Sequence, residues 1–157
     1  MDDLSPKLSL PNLNLPEINP RISRSQGQTY IWDAIRGKEL VLTPEEWVRQ
    51  HWISFLIRQK HYPKGLFSLE KGLKYNSLQK RTDVLIYNRN GQPYLLIECK
   101  APQVKITQKT MEQAAIYHKQ LQSEFLILSN GLVHISLQWS PEKNSFEQIK
   151  EIPKTPK

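Results

Sequence analysis

Apolar positions along the chain fall into two helical and several extended patterns. The sharpest start lies at Thr43-Pro44-Glu45-Glu46. Thr43 can cap, Pro44 suits the first helical position, and Glu46 stands three residues after the cap, the spacing of a capping box. Val48, Trp52, Phe55 and Leu56 then recur at helical spacing, predicting a helix to about residue 60 that His61-Tyr62-Pro63-Lys64-Gly65 ends. A second apolar face (Met111, Ala114, Ala115, Tyr117, Leu121) predicts a helix over 107–122. Strands are expected at 66–74, 80–88 and 93–100 between the helices, and at 125–128 and 133–137 around Ser129-Asn130-Gly131. Shorter strands at 29–33 and 39–42 flank Arg36-Gly37-Lys38. The core order is helix, three strands, helix, two strands, an α/β arrangement. Pro6, Pro11, Pro16 and Pro20 interrupt the first twenty residues, which carry neither period. The expected division is an extended arm over 1–27, a domain over 28–150 and a tail over 151–157.

Asn90-Gly91 lies between two apolar runs and is the strongest short hairpin signal, because a type I′ turn takes positive φ at both central residues. With those two as the loop, Arg89 faces Gln92 and Asp83 lies across from Glu98. Alternation then puts Lys100 on the face of Glu98. Val84, Ile86, Leu95, Ile97 and Cys99 occupy the other face, so the hairpin is expected to be buried on one side and ionised at one end of the other.

The 157 residues suit one domain, and a single cysteine excludes an internal disulfide framework. Four histidines without partners at ligand spacing argue against a structural zinc. No apolar run is long enough to span a bilayer, and the start has no secretion-signal pattern, so the expectation is a cytoplasmic chain with no membrane partner. A formal charge of +7 permits a polyanionic partner, although basic residues spread over a solvated surface would give the same value.

Two carboxylates opposed across a hairpin repel, and burying them requires a counter-charge. Lys100 offers part of it. A Mg²⁺ ion would offer more, accepting carboxylate oxygens while keeping waters and phosphate as further ligands. Asp83 followed by Glu98-Cys99-Lys100 resembles the signature of the PD-(D/E)XK nuclease superfamily, with Thr82 where the superfamily name has Pro, a position that is not a ligand. The stretches Leu42-Thr-Pro-Glu-Glu-Trp-Val-Arg-Gln50, Lys80-Arg-Thr-Asp-Val-Leu-Ile-Tyr87, Leu95-Leu-Ile-Glu-Cys-Lys-Ala-Pro102, Val104-Lys-Ile-Thr-Gln108 and Leu128-Ser-Asn-Gly131 resemble the N-terminal nuclease domain of type I restriction enzyme R subunits, over about 28–150.

The resemblance implies a restriction-endonuclease-like core, a central mixed sheet flanked by helices. It also implies Mg²⁺-dependent (or Mn²⁺-dependent) hydrolysis of DNA phosphodiesters, with Asp83 and Glu98 as metal ligands and Lys100 catalytic. A helix glutamate that assists the metal is implied too. Glu45 is preferred because it shares a face with Val48 and Trp52, while Glu46 fits the capping box. Gln113 and Tyr117 resemble a Gln-x-x-x-Tyr motif that supports the site or touches DNA; the competing reading makes Tyr117 core and Gln113 surface. Lys71, Lys74, Lys80 and Arg81 are candidate phosphate contacts or a solvated edge. The four tryptophans lack basic interleaving and read as core, and Cys99 reads as a packed apolar residue. No Gly-x-x-x-x-Gly-Lys-Ser/Thr loop occurs in these residues, so the expectation is either a free-standing nuclease-like protein, served by a separate translocase or restriction-modification subunit, or an excised domain. The competing function is an idle nucleic-acid-binding or assembly module of the same fold.

Overall fold

The computed structural model describes residues 10–68 and 83–157. Lys71, Lys74, Lys80 and Arg81, with most of the strand expected at 66–74, lie outside the described residues. Of that strand, Phe67 bridges to Ile86, and the Ser68 amide donates to the Leu85 carbonyl at 2.8 Å.

A three-stranded antiparallel sheet comes first: β1 (Ile22–Ser25), β2 (Gln28–Asp33) and β3 (Lys38–Val41). Helix α1 (Pro44–Arg58) follows, and the Glu46 amide donates to Thr43 Oγ1 at 3.0 Å, the first half of the expected cap. Then come β4 (Val84–Tyr87), β5 (Pro93–Cys99), α2 (Gln108–Tyr117), β6 (Phe125–Ser129), β7 (His134–Ser140) and β8 (Ser145–Ile149). The strands β4 to β8 form one mixed sheet in chain order, with β5 and β6 parallel and the other pairs antiparallel. None of the described helices is long and apolar enough to cross a membrane.

A parallel pair needs a crossover, and α2 supplies it, which covers the second face of the sheet. On one face Val48, Trp52 and Leu56 of α1 pack against Val84, Ile86, Leu95, Ile97, Cys99 and Ile127. On the other, Met111 and Ala114 of α2 pack against Leu85, Leu96, Leu126, Leu128 and Leu137. The expectation of a hairpin buried on one side only is therefore corrected: both faces are core, and the ionised residues stand at one end of the α2 face. α2 ends five residues before its expected limit, and β8 was not expected, since Phe146 and Ile149 are its only large apolar residues.

The β4–β5 turn also differs. Positive φ occurs at Gly91 but not at Asn90. Asn88 and Gln92 close the loop, the Asn88 amide donating to the Gln92 carbonyl at 2.8 Å, so the loop has a third residue. A register shift follows, Tyr87 pairing with Pro93 and Ile86 with Leu95. The added loop residue and the bulge at Tyr94 cancel, restoring beyond Ile86 the register that a two-residue loop would have given. The type I′ geometry is found instead at Gln26-Gly27, between β1 and β2, where both φ angles are positive.

The chain ends are packed where they are described. Leu13 and Leu15 lie on the α1-side core, and the Trp47 indole donates to the Pro11 carbonyl at 3.0 Å. His134 Nε2 meets the Asn14 carbonyl at 2.9 Å, and its Nδ1 meets Ser129 Oγ at 2.7 Å. At the other end, Tyr62 donates to the Pro153 carbonyl at 2.7 Å and Tyr94 to that of Lys154.

Candidate active site

The site is built by the inner end of the β4–β5 hairpin. Val84 pairs with Ile97, so one step further Asp83 comes opposite Glu98. Both are buried. Alternation sends Glu98 to the face of Leu96, the α2 side, while Cys99 joins the α1-side core. Lys100 follows directly on β5. Its amide is anchored by the Ser129 carbonyl at 2.7 Å, and its Nζ lies 4.0 Å from Glu98 Oε2, with 32% of the side chain exposed. Lys100 thus combines a fixed backbone with an ammonium at the edge of solvent.

The second oxygen of Glu98 is met from α2. His118, the residue that caps α2, is fully buried, and its Nε2 lies 3.2 Å from Glu98 Oε1. The preceding Tyr117 packs edge-on against the His118 ring, with centroids 4.8 Å apart. Tyr117 is 41% exposed and Gln113 is exposed, so Tyr117 is not core, and its ring lies against the histidine that meets Glu98.

Behind the hairpin, α1 carries a separate ionic network. Arg49 Nη1 is 2.7 Å from Asp33 Oδ2 and 3.1 Å from Glu46 Oε1, and all three residues are buried. Arg49 Nε donates to the Asp83 main-chain carbonyl at 3.2 Å. One guanidinium therefore ties the small sheet, α1 and the residue that begins the candidate site. Burial pushes the Asp33 carboxyl up, but Arg49, with the Ile35 and Arg36 amides, outweighs it and holds the pKa below the usual value. For Glu46 burial wins: despite Arg49, desolvation and the nearby Asp33 charge leave its pKa raised. The facial assignment of the two glutamates is corrected accordingly. Glu46 is the buried one, turned to Arg49, because a buried arginine draws in carboxylates more strongly than a capping box holds them; Glu45 is half-buried.

Trp52 is core as expected, whereas Trp32, Trp47 and Trp139 are partly exposed. Cys99 is fully buried, and desolvation with the nearby carboxylates pushes its thiol well above the usual range, leaving an inert packed residue. The pattern of residue types did not single out Arg49 or His118. For His118 a signal existed: it continues the buried stripe of Met111 and Ala114 at helical spacing, where a polar residue needs a partner.

Among the described residues no three His, Cys, Asp or Glu side chains gather as a metal cage. The hairpin brings together two hard oxygen donors, Asp83 and Glu98. That donor set suits Mg²⁺, which binds through one or two carboxylates and keeps waters and phosphate oxygens for the rest.

A family model, Type I restriction enzyme R protein N terminus (HSDR_N), matches residues 44–153, from the start of α1 to just beyond β8. Curated proteins and solved structures give no match.

Proposed function

The chain belongs to the type I restriction enzyme R protein N-terminal family, and from that premise we propose that it is a magnesium-dependent DNA endonuclease domain cutting at Asp83, Glu98 and Lys100. The observation that carries this reading is the buried carboxylate pair at the end of β4 and β5, with the Lys100 ammonium beside it. Two buried acids set opposite one another repel, and a site that binds a cation gives a reason for holding them together.

Asp83 and Glu98 would hold Mg²⁺ or Mn²⁺, and the ion, when bound, supplies Lewis-acid charge at the scissile phosphate. Lys100 stands where the pair meets solvent, and its ammonium can orient a water against the phosphate and manage that water's proton. Arg49, bonded to the main chain of Asp83, keeps one carboxylate in register with the other. Glu45 would help to hold the ion from α1. Exposed Gln113 and Tyr117, and the basic residues Lys80 and Arg81, are proposed to touch DNA. Family membership supports a restriction-related role in which a separate translocase or modification subunit brings the DNA.

One observation favours the competing idle module: Glu98 already has His118 at one oxygen and Lys100 near the other. The two readings separate on linear, circular and single-stranded DNA incubated with and without Mg²⁺ or Mn²⁺, with and without a partner translocase. Metal-dependent nicking that Lys100→Ala abolishes, with DNA binding retained in a gel shift, supports the nuclease. Tight binding without cutting of any topology supports the module.

A further inference from the structure

His118 is a buried ionisable side chain on the α2 face whose partner is a residue of the candidate site. Its placement follows from the helix. α2 runs to Tyr117, the His118 amide still bonds the Ala114 carbonyl at 2.9 Å, and the ring continues the buried stripe of Met111 and Ala114 down onto β5. There it meets Glu98 Oε1 at 3.2 Å. An ionised carboxylate only accepts hydrogen bonds, so Nε2 must carry the proton. Nδ1 is buried and has no hydrogen-bond partner among the described residues, so a proton there would be stranded while two lone pairs faced each other across 3.2 Å.

We infer that His118 is a positioning residue: through its Nε2–H it holds Oε1 of Glu98, so that Oε2 stays turned to Lys100 and to the divalent ion. The inference rests on the metal reading of the site. A glutamate carboxylate on three side-chain torsions must be ordered before it can share a cation, and the fixed imidazole does this in advance. The edge-on Tyr117 ring restrains the imidazole in turn.

The test measures Mg²⁺ affinity from the rise of melting temperature with metal concentration, in wild type, His118→Gln and His118→Leu, with circular dichroism to verify folding. Gln places an amide donor close to where Nε2 stands, whereas Leu fills space without donating. We expect His118→Leu to weaken Mg²⁺ binding by about 10- to 100-fold, and His118→Gln to stay within about threefold of wild type, whatever either does to metal-free stability. Equal affinity of the Leu variant and wild type overturns the inference and leaves the metal reading standing. No metal-induced shift in wild type overturns the metal reading and this inference with it. Should the Leu variant fail to fold, a long-range ¹H–¹⁵N spectrum of the wild type decides: the Nε2–H tautomer at His118 supports the inference, and the Nδ1–H tautomer overturns it.

Discussion

Two buried acidic centres lie at the same end of the β4–β5 hairpin, and the chain neutralises them differently. In one, Asp33 and Glu46 share the guanidinium of Arg49, with contacts of 2.7 and 3.1 Å and no member open to solvent. In the other, Asp83 and Glu98 are as deeply placed, and the Lys100 ammonium stands 4.0 Å from Glu98 with its side chain partly in solvent. The first centre has its cation built in and serves as a strut. The second has its ammonium at the edge of solvent, and a route to water is what a site for an exchangeable cation requires. Burial of carboxylates therefore does not by itself mark a functional site; the way their charge is met does.

The largest effect should come from breaking the closed centre. Arg49→Met leaves two buried carboxylates unpaired and removes the tie to the Asp83 carbonyl, so unfolding in urea should show a loss of about 3–5 kcal/mol. Replacing Asp33 with Asn and Glu46 with Gln in the same chain should recover most of it, because a neutral network no longer needs the cation. If the triple variant is no more stable than Arg49→Met, Arg49 matters for packing and the contrast of charge fails.

The open centre should respond to metal instead. In wild type, Mg²⁺ at a hundred times its dissociation constant should stabilise the fold by about 2.7 kcal/mol, because it binds the native pair and not the unfolded chain. Asp83→Asn should abolish that gain while leaving metal-free stability equal or higher, since it relieves repulsion. A full metal-induced gain retained in Asp83→Asn would place the ion elsewhere.

The open centre was also the more legible of the two from sequence. Its members sit on one hairpin, where a period of two fixes faces, and the register survived a mistaken turn because the bulge at Tyr94 offset the extra loop residue. The closed centre joins residues sixteen apart in separate elements, Asp33 of β2 and Arg49 of α1, and no local period links them. Glu46 was misplaced for a related reason: the capping-box spacing is a local rule, and Arg49, three residues on, overrode it. The α/β arrangement followed from the element order and the mixed sheet from the family resemblance, but β8, with polar residues at most positions, offered no alternation to read. His118 was hidden by its type, since a lone histidine on an apolar stripe becomes informative only when the element opposite is known to present Glu98.

Acidity should separate the two carboxylates of the closed centre. Asp33 has a folded pKa below its ordinary 3.8, so its contribution is present above that value and is lost as pH falls through the lower folded one. Glu46 has a folded pKa above 4.5, so its contribution is complete below 4.5 and is lost as pH rises through the raised value. The stability difference between wild type and Glu46→Gln should thus grow in favour of wild type as pH is lowered from neutrality toward 4.5. That between wild type and Asp33→Asn should shrink only below 3.8. His51 and His134, both lowered from 6.5 by burial, add a loss that starts as pH falls below 6.5 in all three proteins and cancels in the differences. Parallel pH profiles for the two variants would mean that the carboxylates share one environment.

The smallest effect concerns Glu45, which adjoins the closed centre in sequence but is proposed to serve the open one. As a half-buried acid in the first turn of α1, it favours the helix dipole, so Glu45→Gln should cost about 0.3–1 kcal/mol in urea unfolding. Its effect on the ion should also be modest. Mg²⁺ retains several waters, and a carboxylate that acts through one of them shifts affinity less than a direct ligand does. A weakening of a few-fold in the Mg²⁺ dependence of the melting temperature is expected for Glu45→Gln, and none for Glu46→Gln, whose carboxylate is already held by Arg49. The reverse result, with Glu46→Gln weakening the ion and Glu45→Gln neutral, would show that Arg49 gives up Glu46 when metal arrives, and the two centres would then be one.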